Sequence, residues 1–283
     1  GSEVILGMLR EGNDDEDQED YFYEVGLTRE RITIDEDRVD VSFDSFGDGI
    51  IGTIKLHSFY EGENGISSEQ DIKKALRDLY QEGNLKGLIL DLRDNRGGFL
   101  MQAVKVAGLF IKNGIVVVSK YSDGSVRYFR DIDGYSYFDG PMVVLVSKAS
   151  ASAAEIVAQA LQDYGVALVA GDERTYGKGS IQHQNVTDSS EDSGFYKVTV
   201  GRYYTPSGKS TQIDGVRADI LIPGDYNDEE IGEIFLEFPI PTQSIAPTFE
   251  DPLLDVDEEA RQWFWKYYMP TLEQPDEIGR AHV

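Results

Sequence analysis

The chain has 283 residues, 40% of them hydrophobic and 11% aromatic, which is enough for a folded protein with a substantial core. Its 52 acidic and 26 basic residues give a formal net charge of −26, which excludes nucleic acid and anionic membrane surfaces as primary partners, because phosphate binding needs clustered lysine and arginine. The absence of cysteine excludes disulfides, thiolate catalysis and cysteine-based metal sites.

The N-terminal part of the chain contains strand-like runs and one acidic segment. Residues 3–10 have the pattern of a strand, and residues 31–34 and 49–56 are further apolar or alternating runs. Residues 14–20 hold six acids in seven positions, which is typical of a solvated loop. A calcium loop is the alternative, but the glycine and the final glutamate of an EF-hand are out of register here. No apolar run reaches the roughly 18 residues needed to cross a bilayer, so we predict no membrane insertion of this chain.

From residue 68 the sequence alternates between helical and strand-like patterns. Apolar residues at helical spacing predict helices, and short apolar or alternating runs predict strands. The predicted helices cover residues 68–81, 99–112 and 153–164, and the predicted strands cover 87–92, 114–118, 141–146, 166–170 and 194–205. This alternation implies crossover connections and a largely parallel sheet, so the predicted fold class is α/β. The acidic region beyond residue 223 ends in an aromatic run at 263–268, which we expect to pack an appended helix onto the body.

A turn of small residues between a buried strand and a helix contains Ser152. Ser152 and Glu155 have the spacing of a helix capping box, which is the ordinary structural interpretation. The same position also suits a nucleophile, because free N–H groups and the positive end of the helix dipole can stabilise an oxyanion. The small neighbours Ala151, Ala153 and Ala154 leave room for a substrate backbone.

A catalytic serine needs a base, and the chain has only three histidines. Lys178 lies between two glycines, where it is either a surface lysine or a buried base. To act as a base near pH 7 its pKa has to fall by roughly 3 units from about 10.4, a shift that burial can produce. Gln182, four residues further on, is placed to orient the lysine. His183 is the rival base and would form an ordinary triad with Ser152 and an acid.

Two further features flank this candidate pair. The strand at 87–92 is followed by Gly97 and Gly98, which either serve a strand-to-helix turn or provide an oxyanion N–H at the carboxyl end of a parallel strand. This segment does not match a dinucleotide fingerprint, and residues 171–180 do not match a P-loop. Asp163 follows Ser152 by 11 residues, about 16 Å along a helix, so we expect it to support a helix end or loops rather than to touch the serine.

Three motifs, in this order along the chain, resemble those of the carboxyl-terminal processing peptidases, also called tail-specific proteases: DLRDNRGG at 91–98, SASAAEI at 150–156 and TYGKGSIQ at 175–182. A further motif at 203–220 extends the resemblance to about residues 30–223. The segments 230–233 and 239–241 are similar to the C-terminal extension of the larger, periplasmic members.

The resemblance implies a role for each matched residue. It makes Ser152 the nucleophile, Lys178 the base and Gln182 the residue that positions the base. The oxyanion hole is implied to come from the backbone N–H groups of Gly97 or Gly98 and of Ala153. Supporting roles are implied for Glu155, Asp163 and Thr175. No metal or organic cofactor is implied. The chain departs from the family pattern at Ala154 and Arg96, and by one extra residue around 172–174.

The resemblance also implies the architecture. It predicts a crotonase-like core of stacked sheets and crossover helices, with a helical C-terminal extension. The predicted domains are a remnant of a PDZ-domain strand at 1–10, an acidic linker at 11–29, the serine peptidase domain at 30–223 and the extension at 224–283. Most of the PDZ domain is expected to be missing from this chain.

The predicted function is an endopeptidase that binds the unstructured, apolar C-terminal tail of a protein by strand addition and cleaves it through an acyl-enzyme. The predicted partners are therefore proteins or peptides with free apolar C-termini, and a homo-oligomer is possible. The family resemblance predicts a periplasmic or otherwise exported location. Two alternatives remain: an inactive peptide-binding module of the same fold, and a crotonase-like acyl-CoA enzyme, which the acidic composition disfavours.

Overall fold

A computed structural model of the chain describes residues 2–10, 21–29, 38–62, 65–131, 134–186, 195–226 and 228–248. The chain divides into two units, Gly1–Asp37 and Arg38–Val283. In the first unit, strand β1 (Glu3–Arg10) pairs antiparallel with β2 (Tyr21–Thr28). The linker predicted over residues 11–29 therefore ends in a strand, whose aromatic and β-branched residues favour extended backbone. The acidic run at 14–20 and the predicted strand at 31–34 lie outside the described residues.

The second unit carries the elements predicted from the alternating patterns. Its strands are β3 (Val39–Phe46), β4 (Gly49–Leu56), β5 (Leu85–Asp91), β6 (Gly114–Tyr121), β7 (Val126–Asp131), β8 (Met142–Val146), β9 (Leu168–Gly171), β10 (Ser180–Val186), β11 (Phe195–Tyr204) and β12 (Ile220–Leu221). Its helices are α1 (Ser68–Glu82), α2 (Leu100–Gly108) and α3 (Ala153–Asp163).

One sheet has the order β12-β9-β8-β5-β4-β3. The pairs from β4 to β12 are parallel, and β3 alone joins antiparallel through a hairpin with β4. This confirms the predicted α/β class with a largely parallel sheet. The carboxyl ends of β5 and β8 lie side by side, so the residues that follow these two strands meet at one edge of the sheet.

A second sheet is antiparallel, with the order β10-β11-β6-β7. The strand predicted at 114–118 was expected in the parallel sheet, and this was wrong because β6 belongs to the second sheet. A tight turn at Gly124, with φ +85°, returns the chain from β6 directly into β7, and such a hairpin can only pair antiparallel.

The helices pack against the two sheets. Helix α1 packs on β3 and β4, whereas α3 contacts both β9 of the first sheet and β6 of the second. Residues 153–161 of α3 are buried, as expected for a helix covered on both sides. None of the helices in the described ranges is both long and apolar enough to cross a bilayer.

The extension beyond residue 223 differs from the prediction. In its described residues, 224–226 and 228–248, the one helical element is a 3₁₀ turn at Glu233–Phe235. The predicted helical extension is therefore not confirmed, and the aromatic run at 263–268 lies outside the described residues. The turn at Glu233–Phe235 lies against the loop that carries Lys178, because the Glu233 N–H donates to the Tyr176 carbonyl oxygen at 2.8 Å.

Candidate active site

Ser152 stands on a strained backbone turn between β8 and α3. Its φ of 57° and ψ of −112° lie in a region that non-glycine residues rarely occupy, at a cost of about 1–3 kcal/mol. The turn is held from both sides, because the Ala151 N–H donates to the Asn95 carbonyl oxygen and the Ser152 N–H donates to Glu155 Oε2 at 2.7 Å. The backbone of Ser152, whose side chain is half-buried, is thus fixed at the N-terminus of a buried helix.

Glu155 joins the serine turn to the lysine loop. This fully buried carboxylate accepts hydrogen bonds from Thr175 Oγ1 at 2.6 Å and the Gly177 N–H at 2.7 Å through Oε1. Its Oε2 accepts the N–H groups of Ser152 at 2.7 Å and Lys178 at 2.9 Å. Since both nitrogens bond to one oxygen, the backbones of Ser152 and Lys178 are direct neighbours.

Burial governs the ionisation of Glu155. It raises the pKa of Glu155 to about 7, although all four hydrogen-bond donors favour the carboxylate and oppose this shift. Glu155, which joins the Ser152 turn to the Lys178 loop, therefore gains or loses its proton close to neutral pH.

Lys178 is half-buried, and its environment favours the neutral amine. Burial is the largest cause that lowers the pKa of Lys178, followed by the positive charge of Lys197, while Glu155 and Glu233 raise it. The flanking glycines allow close packing, since a Cβ at Gly179 would lie 2.6 Å from the backbone nitrogen of Gln212. A lysine in such a site can serve as a general base.

Tyr203, on β11, connects the nucleophile to the same loop. Its hydroxyl donates to the Lys178 carbonyl oxygen and also interacts with the Ser152 side chain. Burial raises the pKa of Tyr203 well above its usual value, so the phenol stays protonated. No role was predicted for Tyr203 from the sequence, although it lies within the 203–220 motif.

The glycine turn after β5 packs directly against Ser152. A Cβ at Gly97, whose φ is +100°, would lie 2.9 Å from Ser152 Cβ and 3.0 Å from the Ala153 nitrogen. The Gly97 N–H donates to Asn95 Oδ1 at 2.9 Å and is already satisfied. Within the described ranges, the N–H groups of Gly98 and Ala153 donate no hydrogen bond. Of the predicted oxyanion donors, these two are the available ones.

Three other residues were considered for the site or its support from the sequence: Gln182, His183 and Asp163. Gln182 and His183 are exposed on β10 beside a register shift at Ile181, and the described residues show no hydrogen bond between the side chains of Gln182 and Lys178. Asp163 accepts the Ser207 N–H at 2.9 Å and so ties the end of α3 to the turn after β11. This contact fits the loop support expected of Asp163.

Thr175 and Gln212 hold the lysine loop in place. The Thr175 hydroxyl donates to Glu155 and accepts the Val216 N–H at 2.8 Å. Gln212 accepts the Gly179 N–H at 2.9 Å through its Oε1. Gln212 lies within the 203–220 motif, but no role was predicted for it, because nothing in its local pattern points to the lysine.

Comparison with known sequences places this site within a recognised family model. Residues 50–222 match the model of peptidase family S41. The chain is 34% identical over 214 residues to a tail-specific protease of Haemophilus influenzae. This alignment covers 74% of this chain and 30% of that protein. It is 36% identical over 209 residues to the chloroplastic carboxyl-terminal-processing peptidase 2 of Arabidopsis thaliana, covering 72% of this chain and 38% of that protein. The chain thus spans about a third of the length of these two curated relatives.

Solved structures show the same fold. The photosystem II D1 C-terminal processing protease matches with a TM-score of 0.57 at 33% identity, covering 71% of this chain and 52% of that one. The putative S41 protease from Bacteroides fragilis matches with a TM-score of 0.57 at 20% identity, covering 82% of this chain and 63% of that one. The second likeness concerns the fold alone.

Proposed function

The chain belongs to peptidase family S41, and from this membership we propose that it is a serine endopeptidase acting on proteins with unstructured, apolar C-terminal tails. Ser152 is the nucleophile and Lys178 the general base, and both lie within the residues that match the family model. The observation that carries the proposal is the shared carboxylate oxygen of Glu155, which holds the backbones of these two residues together.

The chemistry follows from the groups around Ser152. The neutral amine of Lys178 takes the proton of the Ser152 hydroxyl as its oxygen attacks the substrate carbonyl. The N–H groups of Gly98 and Ala153 stabilise the resulting oxyanion. Lys178 then gives the proton to the leaving amine, and a water activated by the same lysine hydrolyses the acyl-enzyme. In this proposal Gln182 orients Lys178, a role for which its side chain has to turn toward the lysine when substrate binds.

Substrate binding is proposed to use the edge of the second sheet. In the described part of the chain β10 is an outer strand of that sheet, and it begins at Ser180, two residues after Lys178. A tail added alongside β10 therefore passes the dyad in extended conformation, with backbone pairing for affinity and side-chain pockets for sequence preference.

The wider predictions stay proposals. Proteins or peptides with free apolar C-termini are the proposed partners, and a periplasmic or otherwise exported location is proposed from the family resemblance. Assembly into a homo-oligomer is a further possibility that sedimentation can test.

Tail preference tests the substrate class. The test compares two versions of one unfolded model protein, one ending in five apolar residues and the other in the same residues interrupted by two aspartates. We expect kcat/KM to be roughly tenfold or more higher for the apolar tail. The chain is strongly acidic, and an apolar pocket penalises buried charge. Gel and mass-spectrometric time courses measure both rates. Equal rates would contradict apolar selectivity, and binding of both tails without cleavage by either would favour a peptide-binding module.

A further inference from the structure

Gln212 connects the Lys178 loop to the extension beyond residue 223. Its buried amide accepts the Gly179 N–H through Oε1 at 2.9 Å. The Nε2 group donates to Glu233 Oε1 at 2.9 Å and to the Ile240 carbonyl oxygen at 3.1 Å. Because Nε2 meets two acceptors, the amide has only one satisfied orientation, and Oε1 has to face the lysine loop.

Glu233 also contacts that loop through its backbone. It is 8% exposed, and its N–H donates to the Tyr176 carbonyl oxygen at 2.8 Å. Glu233 thus reaches the loop on both sides of Lys178: directly at Tyr176, and through Gln212 at Gly179.

The opposite side of the loop is held by Glu155. Three consecutive N–H groups, at Gly177, Lys178 and Gly179, donate to side-chain oxygens, the first two to Glu155 and the third to Gln212. A buried backbone segment satisfied in this way depends on those side chains for its conformation. We infer that Glu233 is a positioning residue of the active site, which fixes the Lys178 loop through Gln212.

The same arrangement gives Glu233 an electrostatic effect on the base. Among the described residues, the charged and titratable groups that act on Lys178 or contact its loop include Glu155 from α3, Glu233 from the extension, and Lys197 and Tyr203 from β11. The two glutamates raise the pKa of Lys178 against the lowering effects of burial and Lys197. Removing the charge of Glu233 therefore lets Lys178 lose its proton at a lower pH.

The test rests on the proposed peptidase function and uses Glu233→Gln in the full chain. The substituted side chain can still accept from Gln212 but carries no charge. We expect the rising limb of kcat/KM against pH to move down by on the order of half a pH unit, with the plateau kept within about threefold. Glu237→Gln, which removes an exposed charge four residues away, should leave the profile unchanged, and Glu233→Asp should restore the wild-type limb.

A second variant tests the positioning role. Gln212→Glu keeps an acceptor for the Gly179 N–H but loses the two hydrogen bonds that Nε2 donates, to Glu233 and to the Ile240 carbonyl oxygen. It also places a second carboxylate beside Glu233. It should lower kcat by roughly tenfold or more with little change in KM, because the loop and not the substrate contacts are affected.

NMR of ¹³C-labelled lysine separates this inference from the function on which it rests. The Lys178 signal, identified by its loss in Lys178→Arg, reports the titration without any turnover. If the Lys178 signal titrates at a lower pH in Glu233→Gln than in the wild type, the inference is supported, even if the wild-type chain cleaves nothing. Titration and pH profile identical to those of Glu237→Gln, together with full activity of Gln212→Glu, would overturn it while leaving the peptidase function intact.

Discussion

Lys178→Ala should lower kcat/KM for an unfolded protein substrate by about 10³-fold or more. A general base contributes roughly 10² to 10⁴ to such reactions. The lysine within the Ser152 turn itself, Lys148, donates its amine to the Glu229 carbonyl oxygen. Lys178→Arg should be similarly inactive, because a guanidinium keeps its proton. In the wild-type chain kcat/KM should rise with pH and level off above the pKa of Lys178, which burial lowers from its ordinary value of 10.5. Hydrolysis of casein or a quenched peptide between pH 6 and 10 measures these effects.

His183→Ala is the matched control for the lysine variants. His183 is exposed on β10, so we expect its replacement to change kcat/KM by no more than about twofold. An inactive His183→Ala beside an active Lys178→Ala would establish a histidine as the base and contradict the dyad.

Glu155→Ala should cost both folding stability and activity. The substitution leaves four buried donors without their acceptor, each worth about 1–3 kcal/mol, so we expect a large fall in the free energy of unfolding. Activity of the remaining folded protein should fall by about 10²-fold or more, because the Ser152 turn and the Lys178 loop are no longer tied together. Glu173→Ala, which removes an exposed carboxylate from the same loop, should change both quantities little. Denaturant unfolding and peptide hydrolysis measure the two effects.

The raised pKa of Glu155 predicts the pH dependence of this contribution. The pKa is about 7 in the folded protein against a reference value of 4.5, so the folded state holds the proton more tightly than the unfolded state. The associated stabilisation is fully present below pH 4.5 and is lost as the pH rises through about 7. The Tm of the wild type relative to Glu155→Gln, which has no titrating group there, should therefore fall across that window. A difference that stays constant or grows would mean that the four donors keep the carboxylate ionised.

The parallel core could be predicted, and the two proposed catalytic residues could be identified as candidates, because their signals are local. Short apolar runs separated by amphipathic helices specify parallel strands, and these patterns placed β5, β8 and β9 within a few residues of their observed bounds. Ser152 and Lys178 were identified from their immediate neighbours, a small-residue turn and a pair of glycines. The structure adds the link between them through Glu155.

The rest depends on contacts that local patterns do not encode. The apolar run of β6 suits either sheet, and only the following hairpin assigns it to the second one. The proposal of Gly98 rather than Gly97 as an oxyanion donor depends on the side chain of Asn95, which satisfies the Gly97 N–H. Likewise, Gln212 and Glu233 lie far along the chain from Lys178 and meet its loop only after folding.

The most direct measurement of the central claim is active-site labelling with a fluorophosphonate probe, followed by peptide mapping. We predict one adduct per chain, on Ser152, which is absent in Ser152→Ala and forms at least about 100-fold more slowly in Lys178→Ala. An adduct on a different residue, or peptide cleavage that persists in Ser152→Ala, would contradict the assignment of Ser152 and Lys178 as the catalytic dyad.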